Sequence, residues 1–255
     1  AMPKQMKGMV MGELINIMQS YISVMINERL SDISRKPNAP FIGASFQPGG
    51  GFGICPTLDI VAGQVMTQDG KIVEGYKALL TEMERMRRYG FTAGEFERAK
   101  QEILRWAERS YANRNDVSNE AYVERCIAHF ANGDSMMDAE TEWQLAQMFI
   151  NSLTVEQVNQ AYAEMAKPNE NLVILARSPK KDGVNIPTED ELLAIIAEVE
   201  ASEIESYSDN TVIEPLIDPT TKLNGSKVKA TSYNESLGFT EWTLKNGIKV
   251  IVRPS

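Results

Sequence analysis

The chain has 255 residues, a formal net charge of −9 at pH 7, 43% hydrophobic residues and 24% charged residues. This length accommodates one large or two small domains, and the composition is ordinary for a soluble globular protein. The acidic excess argues against a nucleic-acid-binding surface, because no basic excess is present to displace counterions from phosphate. No apolar run is long enough for a membrane span, and no uninterrupted apolar core follows the N-terminal lysines as it would in a signal peptide.

The N-terminal region is predicted to be a long helix. Apolar residues recur at helical spacing through 6–30, and several are methionines, which suit an irregular packing surface. The pattern begins almost at once, and Ala1 before Met2 resembles a cloning remnant. We therefore expect the sequence to be a fragment of a longer protein.

A β-hairpin is predicted next. Segments 41–46 and 53–61 are predicted strands, and the glycine-rich segment 47–51 between them is a predicted turn. A phosphate-binding loop is rejected, because no Gly-Lys-Ser/Thr sequence ends the glycine run and no helix begins there. Pro56 within the second strand indicates a bulge or an edge position.

The centre of the chain combines a helix end, a tight turn and a helix start. Gly90 ends the predicted helix 72–89, since glycine adopts the left-handed backbone conformation without a steric clash. Thr92 and Glu95 have the spacing of a capping box, and helical periodicity continues beyond them to Trp106. We expect Trp106 to be largely buried, where it packs this helix on the sheet.

Cap residues and apolar periodicity predict further elements downstream. Ser118 is a predicted N-cap, and Thr154 and Thr188 begin capping boxes with a Gln or Glu three residues later. The predicted elements are helices over 118–133, 139–153, 154–165 and 188–199, and a short buried strand over 172–176.

The last part of the chain changes in character. Segment 200–218 is acidic and poor in large apolar residues, which indicates a solvated linker. Segments 239–244 and 248–252 alternate in polarity around an Asn-Gly pair, which is typical of a tight hairpin. A lone hairpin is marginally stable in water, so it either docks on the preceding domain or begins a truncated one. Together the elements predict an α+β fold with a mainly antiparallel sheet and helices packed on one face.

Four stretches share their pattern with one protein family. They are Asn27-Glu-Arg-Leu-Ser-Asp-Ile followed by Asn38-Ala-Pro-Phe, Tyr89-Gly-Phe-Thr with Glu95, Arg98, Ala99 and Lys100, Thr154-Val-Glu-Gln-Val with segment 172–176, and Trp242-Thr-Leu-Lys-Asn-Gly-Ile-Lys-Val-Ile-Val. They resemble the insulinase-like (pitrilysin) zinc metallopeptidases, or inverzincins, over nearly the whole chain. The resemblance implies an inactive peptidase-like domain over 1–200, an acidic interdomain linker over 201–237 and the opening β-hairpin of a truncated following domain over 238–255.

The catalytic motif of that family, His-x-x-Glu-His, is absent, because it needs two histidines and the chain has only His129. Cys126 lies one helical turn before His129, but two ligands do not make a structural zinc site. We expect His129 to be a packed helix residue near the edge of the core. A Ser-His-Asp or Cys-His site would also depend on His129, whose surroundings do not resemble a nucleophile elbow. No catalytic, cofactor-binding or metal-binding residue is therefore predicted.

The remaining reactive side chains receive structural interpretations. Cys55 and Cys126 are predicted to be buried free thiols, since a disulfide would require the fold to bring them together. Two acidic pairs are interpreted as parts of solvated helix faces. These pairs are Glu82 with Glu84 and Glu189 with Glu191.

The resemblance implies a non-catalytic domain of a zinc protease. Such a domain would form one wall of the peptide-binding chamber and support a catalytic domain elsewhere in the full-length protein. Zinc is expected in that parent protein and not in this fragment. The expected partners are the catalytic domain of the same polypeptide and a peptide or protein substrate, and the expected location is periplasmic or otherwise exported.

Two other functions stay open at this point. The first is an assembly or interaction module of a protease-derived core protein without proteolytic activity. The second is an independent peptide-binding domain that uses an exposed sheet edge. A His-x-x-Glu-His motif elsewhere in the full-length protein favours the protease over the assembly module.

Overall fold

The computed structural model describes residues 8–49, 60–166, 172–209, 217, 220–222 and 224–253. The chain divides into unit 1, Ala1–Asn210, and unit 2, Thr211–Ser255. Unit 1 contains α1 (Val10–Ser34), β1 (Gly43–Gln47), β2 (Ala62–Met66), α2 (Ile72–Tyr89), α3 (Ala93–Ala112), α4 (Asn119–Asn132), α5 (Ala139–Ser152), α6 (Val155–Met165) and α7 (Glu189–Ala201). Unit 2 contains β3 (Val228–Asn234), β4 (Phe239–Leu244) and β5 (Lys249–Val252). The α+β class with antiparallel strand pairing is confirmed.

The sheet of unit 1 is fixed to the first helix. β1 and β2 pair antiparallel, with Ser45 opposite Gln64. The Asn27 amide on α1 donates to the Phe46 carbonyl oxygen (2.9 Å) and accepts from the Phe46 amide (2.8 Å). The strand that pairs with β1 begins later than the predicted segment 53–61, whose first seven residues lie outside the described part of the chain.

The core of unit 1 forms around α1. The buried apolar residues of this helix are Tyr21, Ile22, Met25, Ile26 and Leu30. Their partners from α2, α3 and α6 are Leu79, Met86, Phe96, Ala99, Ile103, Val158 and Tyr162. The rings of Tyr21 and Phe96 stack with centroids 4.7 Å apart, and the Tyr21 hydroxyl donates to the Ile150 carbonyl oxygen at 2.9 Å. Burial and the nearby charge of Glu97 raise the pKa of Tyr21 well above its usual value.

The predicted caps are confirmed. The side-chain oxygens of Thr92, Thr154 and Thr188 each accept from the backbone amide three residues later, and the backbone amide of each threonine donates to the Glu or Gln side chain at that position, which completes a capping box. Gly90 (φ 72°) ends α2, and Gly133 (φ 75°) ends α4. These signals are local, so the sequence alone specifies them.

The end of α1 and the burial of Trp106 were predicted wrongly. α1 continues four residues beyond the predicted end at Leu30. Trp106 is 48% exposed, because the buried face of α3 ends at Ile103. Beyond that point α3 packs on α5 through other side chains, and the ring of Tyr111 stacks on Trp143 with centroids 5.7 Å apart.

The predicted strand over 172–176 is also wrong, because this described segment has no regular structure. A strand needs a neighbour that pairs with its backbone, and no described residue pairs with this segment. Its Ile174 joins a second apolar cluster, in which α7 packs on α2. The buried members of that cluster are Leu192, Ile195, Val199 and Ile204.

Unit 2 is an antiparallel sheet with the order β3-β4-β5. The predicted hairpin is confirmed as β4 and β5, with Trp242 opposite Val250. Gly247 occupies the turn with φ 88°. β3 was missed, because its residues were assigned to the linker. Within the described ranges, no helix combines the length and apolarity needed to cross a membrane.

Candidate functional site

The two residues of α4 that the sequence singled out as possible metal ligands lie at the surface. Cys126 is an exposed free thiol, and His129 is exposed with its Nδ1 2.7 Å from the Asp134 carbonyl oxygen. The predictions that Cys126 is buried and that His129 packs at the core edge were therefore wrong. Cys55 lies outside the described residues.

The described side chains do not fit a catalytic zinc ion. Among the described residues, no three His, Cys, Asp or Glu side chains come together in a group that is able to hold a metal. The whole sequence offers one imidazole, whereas the inverzincin motif uses two. The structure therefore offers no set of ligands for zinc in its described part, and the prediction of no metal-binding residue stays a prediction.

An exposed apolar surface runs along α4. We call it the α4 face, and its residues are Tyr122, Val123, Cys126, Ile127, Phe130 and Ala131. α4 has no buried residue, and Phe130 is 92% exposed. The helix itself is well terminated, since the Ser118 hydroxyl accepts from the Ala121 amide at 3.2 Å and Gly133 closes its C-terminus. The sequence predicted this helix but not the side on which its apolar residues lie.

In contrast to the exposed α4 face, a network of buried ion pairs lies in the interior of unit 1. Arg29 on α1 is 2% exposed, and it donates to both oxygens of Glu95 on α3 through Nε and through Nη2 (2.8 Å). Arg29 also donates to Glu82 on α2 (3.2 Å) and to the Gly90 carbonyl oxygen (3.2 Å). One guanidinium thus joins three helices and the turn between two of them.

Aromatic rings complete the surroundings of Arg29. The guanidinium carbon lies 4.0 Å from the ring centroid of Tyr207 and 5.4 Å from that of Phe91. Burial lowers the pKa of Arg29, but the hydrogen bonds and charges of Glu95 and Glu82 outweigh it, so the pKa is raised. An arginine with a raised pKa stays protonated at neutral pH, so it does not act as a general acid or base. The network therefore stabilises the fold rather than performing chemistry.

The prediction that Glu82 and Glu84 lie on a solvated helix face was wrong. Glu82 is 2% exposed and forms ion pairs with Arg29 and Arg85. Glu84 is also buried, and it accepts from Arg87 at 2.6 Å and from Arg88 at 2.6 Å. The sequence gave no sign that Glu82 is buried, because its partner Arg29 lies on another helix. The partners of Glu84 are one turn further along α2, but helical periodicity did not indicate that Glu84 itself is buried.

The start of the predicted acidic linker is held on unit 1. We call residues 202–209 the strap. Three side chains of α2 bind its backbone carbonyl oxygens, and the bonds are Arg88 to Ser202 (2.8 Å), Tyr89 to Ile204 (2.7 Å) and Arg85 to Glu205 (2.9 Å). Ile204 itself is buried in the second apolar cluster.

The end of the strap is held by side chains. Asp209 accepts from Arg98 at 3.1 Å and from the Thr92 hydroxyl at 3.1 Å, both on α3 or its cap. Tyr207 covers the Arg29 guanidinium. Arg98 and Glu95 belong to the family-like stretch that follows Tyr89, so the conspicuous motif of the sequence serves to bind α1, α3 and the strap together.

The fold of this chain is similar to parts of several solved structures. The chain matches the periplasmic protease PqqL from Escherichia coli with a TM-score of 0.62 and 17% identity, covering 96% of this chain and 27% of PqqL. It matches the first half of PqqL with a TM-score of 0.62 and 16% identity, covering 78% of this chain and 42% of that half. It matches a predicted insulinase family protease from Yersinia pestis with a TM-score of 0.64 and 14% identity, covering 75% of this chain and 40% of that protein.

These matches establish the fold as one found in insulinase-family protease structures. In each case the chain spans less than half of the solved protein. Neither a protein-family model nor a curated protein sequence matches the chain.

Proposed function

We propose that this chain is a non-catalytic domain of a larger zinc protease, the parent protein. In this proposal it forms part of the peptide-binding chamber and supports a catalytic domain elsewhere in the same polypeptide. The observation behind the proposal is the match to PqqL over 96% of this chain but only 27% of PqqL. The single histidine of the sequence is consistent with catalysis by another domain.

The chemistry assigned to this domain is binding and support. A zinc ion in the parent protein would activate water and polarise the scissile carbonyl from ligands outside this chain. This domain would contribute a rigid surface, and the buried ion network and the strap supply that rigidity. We also propose that the parent protein is exported, which the periplasmic location of PqqL supports.

The test compares the parent protein with this chain alone, both purified without a histidine tag. We expect one zinc ion per parent protein by mass spectrometry, with chelator-sensitive cleavage of a quenched fluorescent peptide library. The isolated chain is expected to show neither. Stoichiometric zinc with chelator-sensitive cleavage by the isolated chain would overturn the assignment.

The same experiment decides the alternative. A parent protein that folds but lacks a His-x-x-Glu-His motif, zinc and cleavage would be a protease-derived assembly module. The exposed α4 face is the observation that favours an interaction role, and such a role is compatible with both candidates.

A further inference from the structure

The apolar stripe of α4 faces away from the core of unit 1. The α4 face includes side chains at i, i+1, i+4, i+5 and i+8 from Tyr122, so they share one side of the helix. A surface helix normally turns such a stripe toward its own core. Here the apolar side chains are exposed, whereas Ala128 on the opposite side is half-buried.

The polar side of α4 forms contacts with its neighbours. Arg125, on the side away from the α4 face, donates to the Met137 carbonyl oxygen (3.1 Å) and forms an ion pair with Glu142 on α5. His129 bonds the Asp134 carbonyl oxygen just beyond the end of the helix. These bonds link the polar side of α4 to α5 and to the segment that follows α4, and the apolar stripe lies on the other side of the helix.

More apolar surface adjoins the end of α4. A Cβ atom on Gly8 would lie 2.8 Å from the Gly133 carbonyl oxygen, so the start of α1 lies beside the end of α4. The first residues of α1 and its cap are exposed and apolar, and they are Met9, Val10 and Met11. A cluster of exposed apolar side chains such as the α4 face marks a site of interaction, whereas scattered exposed residues do not.

We infer that the α4 face is the surface on which a neighbouring domain of the same polypeptide docks through apolar side chains. This inference rests on the proposed function. The match to 42% of the first half of PqqL leaves the larger part of that half without a counterpart in this chain. Glu120 and Glu124 are exposed along one edge of the α4 face, so the docking domain presents Lys or Arg opposite them.

Cys126 lies within the α4 face and serves as a built-in probe. Its rate of reaction with a small thiol reagent is measured by mass spectrometry of the peptide that contains it, in the parent protein and in the isolated chain. We expect the reaction to be at least about tenfold slower in the parent protein. A Lys36→Cys variant is the control, because Lys36 is exposed at the other end of α1 and is expected to react similarly in both proteins.

A substitution on the α4 face tests the same inference by disrupting the docking of the neighbouring domain. Phe130→Asp in the parent protein is expected to restore the fast reaction of Cys126. In the isolated chain it is expected to leave the thermal midpoint unchanged, because Phe130 is 92% exposed there. Leu193→Asp, at an exposed position on α7, is the matched control that leaves Cys126 protected.

Three outcomes overturn the inference. Equally fast reaction of Cys126 in both proteins means that the α4 face is open in the parent protein. Protection that grows with the concentration of the isolated chain indicates a second copy, and protection that requires an added peptide indicates a peptide site. A parent protein without zinc or cleavage overturns the proposed function alone, since protection of Cys126 there still supports docking.

Discussion

Arg29 on α1 and Glu95 on α3 form a buried ion pair in which both carboxylate oxygens accept from the guanidinium. The same Glu95 carboxylate accepts from the Thr92 backbone amide at 2.8 Å and so completes the capping box of α3. One side chain thus caps the N-terminus of its own helix and attaches that helix to α1. Local and tertiary structure depend on the same carboxylate.

Glu95→Gln is expected to lower the free energy of unfolding by roughly 3–5 kcal/mol, because it leaves a buried arginine with one of its two anionic partners. Glutamine keeps the shape of the side chain and is itself found in capping boxes, so the loss reports the charge rather than the cap. Urea denaturation measures it. Glu108→Gln, at an exposed position of the same helix, is the control and is expected to change stability by less than about 0.5 kcal/mol. An equally small effect of Glu95→Gln would mean that the pair is not buried.

Glu84 is expected to make the stability of the protein sensitive to acid. Burial raises the pKa of its carboxyl, but hydrogen bonds from Arg87 and Arg88 outweigh burial and hold the pKa below its ordinary value of 4.5. A lowered pKa in the folded state gives stability that is present above pH 4.5 and is lost as the pH falls through the folded-state pKa.

The measurement is the free energy of unfolding as a function of pH. Glu84→Gln is expected to reduce stability above pH 4.5 and to flatten the decline below it. Glu74→Gln on the same helix removes only an exposed ion pair with Lys71, so it is expected to leave the shape of the curve unchanged. Parallel curves for the wild type and Glu84→Gln would contradict the prediction.

Gly90 is expected to resist substitution more strongly than a glycine with a similar φ in open space. Its φ is 72°, and a Cβ atom would lie 2.5 Å from the Asn159 side-chain nitrogen. That side chain cannot retreat freely, because Asn159 bonds both the amide (2.8 Å) and the carbonyl oxygen (3.2 Å) of Phe91.

Gly70 provides the comparison, since its φ is 79° and no atom lies within 4 Å of a Cβ built there. Gly70→Ala is expected to cost about 1 kcal/mol of stability, from the backbone conformation alone. Gly90→Ala is expected to cost roughly 3 kcal/mol, because a backbone with φ 72° and ψ −163° is essentially confined to glycine and because Asn159 is also displaced. Thermal or urea denaturation of both variants decides the matter, and equal losses would mean that Asn159 moves aside freely.

The strap is expected to be part of the folded domain. A chain that ends after residue 201 loses the burial of Ile204 and the contacts of Tyr207 and Asp209. Relative to a chain that ends at residue 210, we expect a loss of about 4 kcal/mol, or roughly 10 °C in the thermal midpoint for a domain of this size. Both chains lack unit 2, so their difference isolates the strap. Equal midpoints would make 202–209 a linker, as the acidic composition predicted.

The elements that the sequence alone determined are those specified by neighbouring residues. The capping boxes at Thr92 and Thr154 follow from hydrogen bonds over three residues, and the β4–β5 hairpin follows from the Asn-Gly turn. The absence of a second histidine is a property of composition. Such features need no knowledge of the tertiary structure.

The tertiary structure alone decided which faces are covered. Glu82 is buried against Arg29, which is 53 positions away, and Phe130 is exposed on the side of α4 away from the pair between Arg125 and Glu142. Segment 172–176 has the composition of a strand but has no described pairing partner. Burial and strand pairing depend on residues that are distant in sequence, and helical or alternating periodicity cannot identify those partners.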